Sequence, residues 1–177
     1  MEAIRFIVGT LLQVLLVMVF LLRVLLPLVR ADSRNQLSQA VIRLTNPLVL
    51  PLRRVLPPIG KVDTASIVAL LIVQAAAIAM LWLLGGYPYI FTPAQFIYVV
   101  FITLLTTILR FYIFAMILYV ILSWIAPGTY SPAAALLDSL CDPLLRPVRR
   151  VIPPLAGIDL SALFVIIGLQ ALHIAIT

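Results

Sequence analysis

The chain has 177 residues, 64% hydrophobic and 10% charged, against about 25% charged in soluble domains. Its apolar residues run too long for a soluble core, so the formal net charge of +6 speaks of membrane topology before nucleic acid, and no nucleic-acid partner is expected. One cysteine, Cys141, and one histidine, His173, exclude an internal disulfide framework and a cysteine-based metal cluster.

The fold class expected is an all-α integral membrane protein made of two parallel tandem repeats. Each repeat would hold a long transmembrane helix, a cytoplasmic amphipathic elbow of short helices and a shorter transmembrane helix. A span needs about 20 predominantly apolar residues. Residues 6–29 supply the first; they exceed a signal peptide's apolar region of about 7–15 residues, and no A-x-A-like site follows. Arg23, two turns from the inner boundary of that span, is expected to snorkel.

The first elbow, 33–60, starts with Leu37, Ala40, Val41 and Leu44 at helical spacing, an interfacial stripe. Asn46-Pro47 then reads as an N-cap and first turn of a second short helix, which Pro51 kinks and Pro57-Pro58 end. Asp63 is placed to cap the second span, 64–84, which carries Gln74. Repeat 1 therefore covers 1–84.

An uncharged outer loop, 85–95, brings Tyr87, Tyr89 and Phe91 to the outer aromatic belt. Repeat 2, 96–177, opens with span 96–125, which carries Arg110; no Gly or Pro nearby motivates a break, so one helix is expected. Elbow 131–156 begins at Ser131-Pro132 and repeats the proline pattern at Pro143, Pro147, Pro153 and Pro154. Asp159 would cap the last span, 160–176, home of Gln170 and His173. Nine of the twelve basic residues fall in the two elbow loops: Arg30, Arg34, Arg43, Arg53, Arg54, Lys61, Arg146, Arg149 and Arg150. The positive-inside bias places these loops in the cytoplasm and both termini in the periplasm of a bacterial inner membrane.

The elbows share one sentence. Residues 46–63 read "NPLVLPLRRVLPPIGKVD" and residues 142–159 read "DPLLRPVRRVIPPLAGID", at a 96-residue offset that also aligns Gln74 with Gln170. This doubled N/D-P-L-x-x-P-x-R-R-x-x-P-P-x-x-x-x-D pattern resembles the YggT family of small bacterial and plastid membrane proteins. The resemblance extends over nearly the whole chain, including "VRADSRNQLSQAVIRLTNP" and "SWIAP". It implies a multi-pass membrane protein associated with osmotic or ionic stress tolerance and cell division in bacteria, and with haem attachment or nucleoid distribution in plastids. The glycine pair usual after the prolines is replaced by Ile59-Gly60-Lys61 and Leu155-Ala156-Gly157.

Arg53, Arg54, Arg146, Arg149, Arg150 and Lys61 are the candidates for holding anionic lipid or a protein partner. Pro47, Pro51, Pro57, Pro58, Pro143, Pro147, Pro153 and Pro154, with Asp63 and Asp159, form the structural motif, in which Arg and Asp could clamp one another. Gln74, Gln170 and Arg110 are the intramembrane polar residues: glutamines suit interhelical hydrogen bonds, and Arg110 has Gln13 or a lipid phosphate as candidate partners. No nucleophile–base pair, phosphate loop or paired carboxylate exists, so no enzyme, metal or cofactor is expected. The favoured function is a non-enzymatic scaffold or assembly factor, with homo-oligomerisation open. The alternative is a subunit of an oligomeric channel or carrier for ions or osmolytes, with Gln74, Gln170 and Arg110 lining it.

Overall fold

The computed structural model describes residues 7, 9, 15–59, 62–85, 87, 91–125, 131–151 and 159–177. Among them lie helices α1 (Met18–Leu28), α2 (Gln36–Val55), α3 (Thr64–Leu83), α4 (Pro93–Ile125), α5 (Pro132–Arg149) and α6 (Leu160–Ile176). The described residues hold no strand, only a single antiparallel backbone bridge between Ile59 and Val62. By length and composition, α3 and α4 are long and apolar enough to cross a membrane; Leu15–Leu28 and Leu160–Ile176 are shorter apolar helices. Pro153, Pro154, Lys61, Gln13 and Tyr89 lie outside the described residues.

Contacts divide the chain into two three-helix groups, with α1, α2 and α3 packed on one another and α4, α5 and α6 likewise. The larger core gathers Val17, Phe20, Leu21, Val41, Val49, Ala69 and Leu70, and draws Phe111, Leu136 and Leu140 from the second group. The smaller core joins Ala115, Met116, Cys141, Leu145, Ala162 and Val165. Outward faces stay apolar: Phe101, Phe114 and Ile121 of α4 and Phe164, Ile167 and Ile174 of α6 are all exposed. A water-facing surface would be expected to carry charge at such positions.

The elbows correct an expectation. In the described residues each is one long helix, Gln36–Val55 or Pro132–Arg149, not a hairpin of short helices. Asn35 caps α2, its side chain accepting from the Leu37 amide at 2.9 Å, and Ser131 caps α5, accepting from Ala134 at 3.1 Å. Helix is therefore already established when the chain reaches Asn46 and Asp142, which act as interior residues; Asp142 pairs instead with Arg146 one turn on, at 2.6 Å. The prolines are tolerated because of their spacing. Pro47 and Pro51, like Pro143 and Pro147, are four apart, so each pair shares one face, and all four are exposed. The carbonyls deprived of their donors therefore open outward rather than into the core. The stripe also shifts: α2 buries Ser38, Val41, Thr45 and Val49, leaving Leu37, Ala40 and Leu44 on its outer side.

Two helix ends show how the chain turns. Arg30 follows α1 with φ of 55°; its amide bonds Pro27 O at 3.3 Å, and the Ala31 amide bonds Leu26 O at 3.0 Å. This is a complete Schellman motif with arginine where glycine is usual. Gly85, with φ of 72°, does the same job after α3 at no steric cost.

Candidate functional site

Each elbow ends in an arginine held to the aspartate that opens the next helix. In the first group Arg53, in the last turn of α2, pairs with Asp63, which occupies the N-cap position of α3. The Ser66 hydroxyl donates to the same carboxylate oxygen, Asp63 Oδ2, at 2.7 Å. In the second, Arg149 donates to Asp159 Oδ2 from Nε at 3.0 Å and also from Nη2. Asp159 caps α6, accepting from the Ser161 amide at 3.1 Å through Oδ1. Each pairing joins the last turn of the elbow helix to the residue just before the next helix, so the side chains help to fix the angle between the two.

Electrostatics follow the geometry. Burial alone would raise the Asp63 carboxyl, but the Ser66 and Arg53 donors outweigh it and hold it below the usual carboxylate range. Asp159 is held low the same way, with burial opposed by Ser161 and Arg149. For Arg149, burial disfavours the charge, yet Asp159 and the Tyr119 hydroxyl raise it above the ordinary arginine value. Burial, reinforced by Asp138, pushes the Cys141 thiol up to about 12, which makes it an inert packing group.

The two arginines of each Arg-Arg pair therefore separate. Arg53 and Arg149 turn to the clamps, Arg53 with its side chain still 41% exposed, while Arg54, Arg150 and Arg146 are exposed. The elbows touch: Asn35 Nδ2 donates to Pro132 O at 2.7 Å, tying the starts of α2 and α5. A cleft of about 260 Å³ lies at that junction, lined by Asp32, Arg34, Asn35, Pro132, Ala135 and Ser139. Pro57 and Pro58 are exposed, and Pro57 O accepts from the Thr64 hydroxyl at 2.8 Å.

The polar residues that the sequence places within the spans do not converge within one chain. Gln74 is fully buried with neither amide atom bonded, whereas Gln170 is exposed. Arg110 lies on the outer face of an unbroken α4, and its Nε donates to His173 Nε2 at 3.0 Å. That histidine is an acceptor outside the Gln13 or phosphate expected from the sequence. No cluster of three or more potential metal ligands exists among the described residues.

Reading by motif also passed over Arg23 and Tyr119. Arg23 does not snorkel: it is 6% exposed and lies beside Arg53 and Asp63. Tyr119 accepts from Arg149 Nη2 at 2.9 Å through its hydroxyl. The signal was available, since the same 96-residue offset aligns position 23 with position 119.

A family model described as CCB3/YggT matches residues 1–84 and 98–177. The chain belongs to the CCB3/YggT family. Among relatives, an uncharacterized protein of Pseudomonas aeruginosa is 40% identical over 92% of this chain and 82% of its own length. The uncharacterized protein YggT of Escherichia coli strain K12 is 33% identical over 99% of this chain and 90% of its own. An uncharacterized protein of Haemophilus influenzae is 29% identical over 88% and 82%. No solved structure matches the chain. Family membership thus carries no named activity.

Proposed function

We propose that the chain is a four-span bacterial inner-membrane protein, with two parallel repeats, that works as a non-enzymatic scaffold or stress-tolerance factor. Its paired elbows lie on the cytoplasmic surface and hold anionic lipid, or a partner presenting the same chemistry. The observation that carries this reading is the split of the arginine pairs. One arginine per elbow is spent on the clamp, and the neighbouring Arg54 or Arg150 is exposed beside exposed Val55 or Val151. Guanidinium among phosphates with aliphatic side chains below is the arrangement of an interfacial helix. The recurrence of helix starts at residues 36 and 132, and at 64 and 160, supports the repeat.

Replacing Arg54 and Arg150 with Gln in the full-length protein should lower the number of co-purifying anionic lipids and leave the unfolding temperature unchanged. An unchanged lipid count removes the anchoring account. A reporter fused after Thr177 should read periplasmic; a cytoplasmic reading overturns the four-span topology.

A further inference from the structure

The two clamps are built alike but do not close alike. In the second, every polar atom just described has a partner: Tyr119 accepts from Arg149, and Ser161 donates to Asp159 Oδ1. In the first, two buried atoms have none. Arg23 is 6% exposed and its Nη1 is unbonded; Asp63 Oδ1 is buried and unbonded too. Both residues line one cleft of about 320 Å³, whose remaining walls are Leu26, Pro27, Ile42 and Arg53.

Charge makes this cleft more than a gap. Asp63 is paired with Arg53 and is, among the described residues, the one acidic residue lining the cleft with both guanidiniums, which leaves one positive charge in excess. A buried charge stays only when paired and hydrogen-bonded. Water supplies hydrogen bonds but no charge. Nor does the clamp demand an arginine here, because the second group builds the same clamp around the neutral Tyr119. The cleft is of ligand-binding size. It offers two guanidiniums, the group best matched to phosphate oxygens, and one bare carboxylate oxygen. Arg23 lies five residues before the end of α1 at Leu28, about 7.5 Å along the axis at 1.5 Å per residue. That depth is within reach of a phosphate at the surface of the elbow side.

We propose that this cleft binds one phosphate diester, with Arg23 and Arg53 on the phosphate oxygens and Asp63 Oδ1 accepting from a hydroxyl or ammonium on the esterified alcohol. Such a group occurs as a phospholipid headgroup and as a free glycerophosphodiester. The lipid source deepens the membrane reading above and rests on it; the free source does not. The site uses Arg53 but neither Arg54 nor Arg150, and among the described residues it occurs once.

The test uses the full-length protein, delipidated in a neutral, phosphate-free detergent and titrated under native mass spectrometry. The probes are phosphatidylglycerol, glycerophosphoglycerol and inorganic phosphate. The wild type should take up one phosphatidylglycerol saturably, and Arg23→Tyr should weaken that binding about 10–100-fold. Arg23→Tyr copies the other clamp, so its ligand-free unfolding temperature should match or exceed the wild type's, and added ligand should no longer raise it. Should that variant not fold, Arg23→Lys keeps the charge and loses the fork, and binding about tenfold weaker is expected. Competition by glycerophosphoglycerol identifies the free diester as the source; its absence identifies the lipid. Equal affinity of wild type and variants for all three probes overturns the proposal. Loss of bulk lipid from Arg54→Gln/Arg150→Gln bears only on the elbow reading. If that double variant keeps its bulk lipid while the single saturable site responds to Arg23, the elbow reading falls and this one stands.

Discussion

The first and second clamps use the same arginine and aspartate, ten residues apart, and set the same kind of corner. Around Asp159 the supply of donors and acceptors is complete: Arg149, the Ser161 amide and, through Arg149, the Tyr119 hydroxyl. Around Asp63 a second arginine stands where the other clamp has tyrosine, and one carboxylate oxygen is left over. The closed clamp is what a purely structural joint looks like. The open one keeps a surplus charge buried, at a cost to stability that an occupant would offset. Duplicated sequence can thus hold one architecture constant while one copy is released for other work.

Four measurements press on this contrast. Asp63→Asn should cost about 3 kcal/mol, because it strands two arginines, whereas Asp159→Asn should cost about 1.5 kcal/mol, the range of a charged hydrogen bond. Denaturant unfolding in detergent measures both, and equal losses would erase the asymmetry. pH comes next. Both carboxyls are held below their usual range, so their contribution is complete above the unfolded value of about 4 and disappears as pH falls through the folded value. Unfolding midpoints should be level between neutral pH and about pH 5 and fall below about pH 4, with the drop reduced in the double Asp→Asn variant. A drop of undiminished size would place the acid sensitivity elsewhere. Tyr119→Phe should cost about 1 kcal/mol by removing one acceptor from Arg149, and a stabilised variant would mean the second clamp is not closed by that hydroxyl. The smallest effect is at the end of α1: Arg30→Gly should gain about 0.5 kcal/mol from its left-handed position after glycine's entropy is charged against it. Gly85→Ala should lose stability at the matching turn after α3, and a loss in both would refute the cap assignment for Arg30.

The apolar runs made the long helices legible, and the doubled motif marked both clamps, because arginine and aspartate are conspicuous in a chain that is only 10% charged. Four things were hidden. The elbows were read as broken because proline is locally a helix breaker; only packing reveals that residues 47 and 51 share an outer face where the missing bonds matter least. The glutamines were read as equivalent because alignment carries identity without burial, and Gln74 is inside while Gln170 is outside. Arg110 was matched to Gln13 or a lipid phosphate, while its partner is the His173 ring 63 residues away on another helix. Arg23 was hidden by its own plausibility, since a snorkelling arginine near a span's end needs no explanation.

The outward-facing prolines of α2 and α5 also have a mechanical meaning. Each proline strips one carbonyl of its helical donor, and in hydrocarbon such a group costs several kcal/mol. In a bilayer, a helix carrying two of them on one side would resist sinking into hydrocarbon, and the exposed Leu37, Leu44 and Leu50 of α2 would resist its leaving. On α2 the prolines share that outer side with the exposed leucines, whereas α5 turns Pro143 and Pro147 outward with no large exposed hydrophobic beside them in the helix. In a bilayer, the two proline-bearing helices, tied together at Asn35 and Pro132, would together limit how deep the whole bundle could sink.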